Sequence, residues 1–267
     1  MKISKFLYRL LVVALIAVFL ISGSFVARYM IDSVQQKNEY ERLAAMVEQA
    51  RAEALLTVPP ALVPSNPVQS TEPEEPAILP EYASSYEENS DLVGWMVIDG
   101  TPINYPVMQT PDHADYYLKR NFKKEPNDHG CLYVRETCDV FTPSDNVTIY
   151  GHHMKDGSMF SGLDKFRKQS FWEEYNTIRF DTLYERHTYT VFAVFTTTAS
   201  VGEGFAYHLF ENAENAAKFD DFVSTCKSLS FYDTGITPQY GDKMICLSTC
   251  EYSQINGRLV VMAVRNE

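Results

Sequence analysis

Two apolar runs joined by a reversal signal close this chain, and they constrain everything before them. The first is Lys243-Met244-Ile245-Cys246-Leu247-Ser248-Thr249-Cys250-Glu251-Tyr252, and the second follows Asn256-Gly257 as Arg258-Leu259-Val260-Val261-Met262-Ala263. Each reads as a buried strand, with Asn-Gly as the turn between them. Cys250 stands where the first run stops, and Arg258, eight residues on, opens the return strand. Folding the two strands across the turn brings a guanidinium close to a thiol. A third short run, Asn146-Val147-Thr148-Ile149-Tyr150, lies far upstream and ends in Gly151-His152-His153. A thiol, an imidazole and a guanidinium at three strand ends suit acyl transfer through a thioester.

Similar short runs recur between residues 91 and 198. Asp91 to Gly100 ends in an Asp-Gly turn. Ile103 to Met108 contains Pro106, which removes a ladder donor and points to an edge strand. Gly130 to Val134, Thr177 to Asp181 and Arg186 to Thr198 complete about eight strands. Helical spacing is confined to a minority: residues 82–89, 112–121, 155–175 (Met159, Phe160, Leu163, Phe166 and Trp172 on one face) and 212–229. In the last, Ala216, Phe219, Phe222, Val223 and Cys226 face inward. The pattern predicts a mainly β fold, a closed or nearly closed barrel decorated by helices.

The N-terminus belongs to a different solvent. Lys2, Lys5 and Arg9 precede a stretch from Leu10 to Ala27 broken only by Ser22-Gly23-Ser24. With Phe6 and Leu7 it approaches the roughly 20 residues that cross a bilayer, and the preceding cations place the N-terminus in the cytoplasm. It reads as an uncleaved anchor; Ser22-Gly23-Ser24 is the cleavage site of the rival signal-peptide reading. Leu43, Ala44, Met46, Val47, Ala50, Ala54 and Leu55 then recur at helical spacing and read as a stalk. Seven prolines and Glu72, Glu74 and Glu75 follow, an extended linker. The expected organisation is a cytoplasmic N-terminus over 1–9, an anchor over 10–27, a helical stalk over 28–57, a linker over 58–81 and a catalytic domain over 82–267. A hydrophobic share of 45% supplies a core, and a net charge of −12 argues against a nucleic-acid partner.

The five cysteines divide by position. Cys246 shares a strand face with Ser248 and Cys250 but lies deeper, and reads as core, as does Cys226. Cys131 and Cys138 are a candidate disulfide in an exported domain. No Cys-x-x-Cys or spaced histidine pair frames a zinc site, and neither metal nor cofactor is expected. His113, His129, His187 and His208 sit in polar or loop contexts and read as surface residues. His152 and His153 are neighbours on a strand end, so one alone faces Cys250, and spacing does not say which. Arg258 and the backbone N–H of Glu251 are candidate donors to an oxyanion. The side chains of Ser248 and Glu251 are candidates to contact substrate or to hold Arg258. These residues also fit a surface cysteine peptidase that ends in hydrolysis, or a non-catalytic barrel that binds wall polymer or protein.

Leu247-Ser248-Thr249-Cys250, the Gly151-His152 strand end and Arg258 together resemble the sortase signature, and the resemblance extends over residues 82–267. Class B is suggested by Leu92-Val93-Gly94-Trp95, Ile103-Asn104-Tyr105-Pro106-Val107, Asp115-Tyr116-Tyr117-Leu118, and the segment from Tyr150 to Phe160. The helix between the last strands points the same way. The resemblance implies an eight-stranded barrel and a membrane-anchored cysteine transpeptidase of a Gram-positive cell surface. It selects His152 over His153 as catalytic and has Cys250 attack a Thr–Gly-like bond in the C-terminal sorting signal of a secreted protein. The acceptor it implies is an amine of a cell-wall precursor or of a pilin. It gives Arg258 the carbonyl oxygen or the backbone of the signal and places Leu118, Ser248 and Glu251 along the groove. Cys246 departs from the leucine-rich pattern before the nucleophile and is expected to be inert.

Overall fold

The computed structural model describes residues 5–57, 76–200 and 202–267. Most of the proline-rich linker, residues 58–75, lies outside them. The chain divides into two compact units, Met1–Arg42 and Leu43–Glu267. Helix α1, Lys5–Thr57, supplies all the described residues of the first. It is long and apolar enough to cross a membrane, and none of its most apolar window is buried in protein. Phe19 and Phe25 on it are exposed, as on a candidate membrane span.

The second unit is built on eight strands: β1 (Leu92–Ile98), β2 (Asn104–Met108), β3 (Leu132–Val134), β4 (Asn146–Tyr150), β5 (Thr177–Thr182), β6 (Thr188–Thr198), β7 (Met244–Glu251) and β8 (Gly257–Arg265). They close into one barrel in the order β1-β2-β3-β4-β7-β8-β6-β5. Closure corrects one expectation: β2 is not an edge strand. It lies between β1 and β3, and its ladder to β3 begins at Val107, so no rung is asked of the Pro106 nitrogen. The β4–β7 pair is parallel and joins segments far apart in sequence, Thr148 beside Cys246 and Tyr150 beside Ser248.

The outer face of β6, β7 and β8 is covered by helix α4, Ala216–Leu229, capped by the Asn215 side chain accepting from the Lys218 N–H. Phe219, Phe222, Val223 and Cys226 pack on Met244, Cys246, Val260 and Met262. Each large side chain buried there contributes about 1.5–3 kcal/mol. Ala216, in the first turn of α4, is exposed rather than inward. Shorter helices complete the shell: α2 (Pro80–Glu88), α3 (Gln169–Glu174), and 3₁₀ segments at Tyr116–Lys119, Phe160–Arg167 and Tyr207–Leu209.

The tail of α1 belongs to the second unit and is tied to the barrel. Leu43 and Val47 are buried, and Arg51 reaches Tyr82 Oη at 3.0 Å and Asp181 Oδ2 at 3.2 Å. Tyr82 donates to the same carboxylate at 2.6 Å, and Arg186 donates to buried Glu81 at 2.6 Å. Cys131 and Cys138, the candidate disulfide, are free thiols here, and Cys138 turns its thiol to the Asn146 carbonyl across 3.7 Å. One further expectation is corrected. His129 is no surface residue: it is buried, with Nε2 3.0 Å from Asp156 Oδ2.

Candidate active site

Side chains alternate along β7, so Met244, Cys246, Ser248 and Cys250 share one face. Helix α4 covers the first two; its cover ends toward Cys250, which is half-buried. Cys250 is paired directly with Arg258 on β8. Strand β4 runs parallel to β7 on its other side and ends at the same level, where the Gly151 N–H donates to the Ser248 carbonyl at 3.2 Å. Gly151 is required for packing: a Cβ there would lie 2.5 Å from Leu132 Cδ2 and 2.6 Å from Phe160 Cδ2. The next residue, His152, lines a cavity that Cys250 also lines.

Leu118, Gly151, His152, Ser248, Cys250 and Arg258 line one cavity of about 280 Å³. A larger groove of about 470 Å³, between α4 and residues 237–239, carries neither thiol nor imidazole. Within the smaller cavity, His152 Nε2–H donates to the Leu118 carbonyl at 2.7 Å. A carbonyl only accepts, so this bond puts a proton on Nε2 and leaves Nδ1 for other partners. His153 points away, its Nε2 2.6 Å from Asp164 Oδ2. Arg258 is tethered through Nη1 to the carbonyls of Gly257 at 2.9 Å and Asn256 at 3.3 Å.

The other thiols are a different chemical population. Burial pushes the Cys246 thiol well up, and nearby Cys226 and Cys138 add to the shift. Burial also raises Cys226, and raises Cys138 to about 11. Such thiols carry almost no thiolate at neutral pH.

Of the predicted groove residues, Leu118 and Ser248 reach the cavity and Glu251 does not. Ser248 is buried and shares a 2.6 Å hydrogen bond with Tyr207 Oη. Glu251, one residue past Cys250, falls on the opposite face. Its carboxylate lies 3.3 Å from Arg167 Nη2 and accepts from the Ser253 N–H and hydroxyl, so its partners among the described residues do not include the Arg258 guanidinium. The sequence reading missed Tyr207 and His208, which wall the cavity from the loop between β6 and α4. Burial lowers the pKa of His208, and the positive charges of Arg135 and Arg258 lower it further. The available signal was the aromatic density of Phe205-Ala206-Tyr207-His208-Leu209-Phe210, unusual for a solvated loop.

Comparison with known proteins bears on this arrangement. The sortase domain model matches residues 96–266. Sortase B of Staphylococcus aureus is 28% identical over 265 residues, 98% of each chain. Sortase B of Listeria monocytogenes is 33% identical over 177 residues, 65% of this chain and 69% of the relative. Among solved structures, a Staphylococcus aureus sortase B–substrate complex superposes with a TM-score of 0.74 at 27% identity, covering 89% of this chain and 99% of the other. A sortase B complexed with triglycine superposes at 0.73 with 26% identity, covering 88% and 99%. With the domain match, a relative matched over 98% of its length and a common barrel in agreement, the chain belongs to the sortase family, among the class B cysteine transpeptidases.

Proposed function

We propose that Cys250 is the nucleophile, His152 the proton carrier and Arg258 the oxyanion partner of this transpeptidase. The Cys250 thiolate attacks a Thr–Gly-like carbonyl in the C-terminal sorting signal of a secreted protein. Arg258, opposite on β8, stabilises the oxyanion through guanidinium N–H groups beyond the tethered Nη1. The C–N bond breaks, the imidazolium of His152 gives its proton to the leaving amine, and a thioester remains. An amine of a cell-wall precursor or of a pilin then attacks. His152 takes its proton, and the thiolate departs. Leu118 and Ser248 border the path of the peptide. The Lys and Arg residues before the apolar helix favour a cytoplasmic N-terminus and an external catalytic unit.

The observation that carries this reading is the single cavity lined by His152, Cys250 and Arg258. Its test is a peptide library offered to the full chain in detergent micelles, with triglycine as acceptor and products read by mass spectrometry. Cleavage followed by ligation, both lost in Cys250→Ala, is expected. Wild-type turnover in Cys250→Ala, or release of free acid alone, would overturn the reading.

A further inference from the structure

The two residues that follow the reactive pair in sequence are tied together on the far face of the sheet. Glu251 follows Cys250, and His153 follows His152; each points away from the cavity. Arg167, the last residue of the 3₁₀ segment Phe160–Arg167, stands between them. Its Nη2 lies 3.3 Å from Glu251 Oε1, and its Nε lies 3.0 Å from Asp164 Oδ1. The other Asp164 oxygen lies 2.6 Å from His153 Nε2. Tyr252 adds a second tie, its hydroxyl donating to the His153 carbonyl at 3.2 Å and its ring edge-on to the imidazole. Phe231 lies beneath the guanidinium, 5.6 Å from ring centre to Cζ.

We propose that Arg167 is a positioning residue of the transpeptidase: its fork bridges Glu251 to the Asp164–His153 pair and so sets the separation of Cys250 and His152. The inference rests on the assignment of those two as the reacting groups. The β4–β7 register ends at Tyr150–Ser248, with one further backbone bond from the Gly151 N–H to the Ser248 carbonyl. Beyond it Cys250 is held by β8 and the His152 carbonyl by the Phe160 N–H, and the ties through Arg167 and Tyr252 cross directly between the two segments. The Arg167–Asp164 pair is partly exposed, and ion pairs at such sites contribute little to stability. Geometry at a reacting pair is far more sensitive, since a displacement of about 1 Å can cost about a hundredfold in rate. A planar guanidinium engages two carboxylates at once, which a lysine ammonium on one stem does much less well.

The test uses the full chain in detergent, with the best-cleaved peptide of the library. Arg167→Met is expected to lower kcat by about tenfold to a hundredfold with KM within about twofold and the melting temperature nearly unchanged. Arg167→Lys is expected to fall between it and the parent. Asp164→Asn and Glu251→Gln each open one arm. Their combination is expected to cost no more than the worse single change, because a bridge cut once is already cut. Strict additivity of the two arms, or unchanged kcat in a folded Arg167→Met, would overturn the proposal. If Arg167→Met does not fold, the two single-arm variants and their double carry the decision. Full activity in Cys250→Ala would instead strike down the assignment of the nucleophile, leaving a distinguishable result.

Discussion

Cys250 and Arg258 face each other as paired residues on adjacent antiparallel strands, with a five-residue reversal between β7 and β8. Asn256 takes φ of 53°, the left-handed conformation that such a reversal requires. The guanidinium then folds back on the carbonyls of its own turn. Turn and Arg258 are therefore one unit.

That unit makes Arg258→Lys a damaging change. A lysine ammonium cannot hold the turn carbonyls and reach an oxyanion together. A loss of about a hundredfold in kcat is expected, the scale of removing one oxyanion donor. Single-turnover acylation with the library peptide checks it, and a loss below about threefold would contradict the role.

The cysteines should separate cleanly by reactivity. Cys250 is half-buried, whereas Cys131, Cys138, Cys226 and Cys246 are buried. Native protein treated with iodoacetamide should gain one adduct, at Cys250, with the other four slower by about a hundredfold or more. Peptide mapping by mass spectrometry reads this directly, and early modification of Cys246 would show that the cover of α4 opens.

Gly151→Ala should damage fold and activity together. The added methyl meets Leu132 and Phe160 at the base of the His152 segment. Overpacking of this kind costs about 1–3 kcal/mol. Thermal melts should show a lower midpoint, and kcat should fall because relief of the clash moves His152. Unchanged values in both would mean that Phe160 swings aside freely.

Glu81 gives the barrel a defined acid sensitivity. Burial works to raise its pKa, but hydrogen bonds from its own helix start and from Arg186, with the charges of Arg186 and Arg51, hold it below the usual carboxylate range. A depressed folded value means that stability is present above the unfolded pKa of about 4.3 and is lost as pH falls through the folded one. Glu81→Gln is expected to cost about 1–3 kcal/mol at pH 7, with the difference from the parent shrinking at acid pH. Urea melts at pH 7 and pH 3 measure it; a difference independent of pH would assign the effect to shape alone.

The eight strands, the helix at α4, the apolar N-terminal helix and the Cys250–Arg258 pairing were all legible in the sequence. Each depends on local periodicity or on a turn whose two sides are near neighbours in the chain. The choice between His152 and His153 was not legible from spacing, since alternation says only that the two diverge. The tertiary structure shows that His152 lines the cavity with Cys250 while His153 turns to Asp164. Other long-range contacts put Tyr207 and His208 on the cavity wall, gave Glu251 to Arg167 rather than Arg258, and enclosed β2 between β1 and β3 despite Pro106. The cause is common to all of them: a side chain's face is set by its own strand, but what waits on that face is set by segments far off in the chain. Their approach is governed by barrel closure and shared burial, which no local pattern encodes.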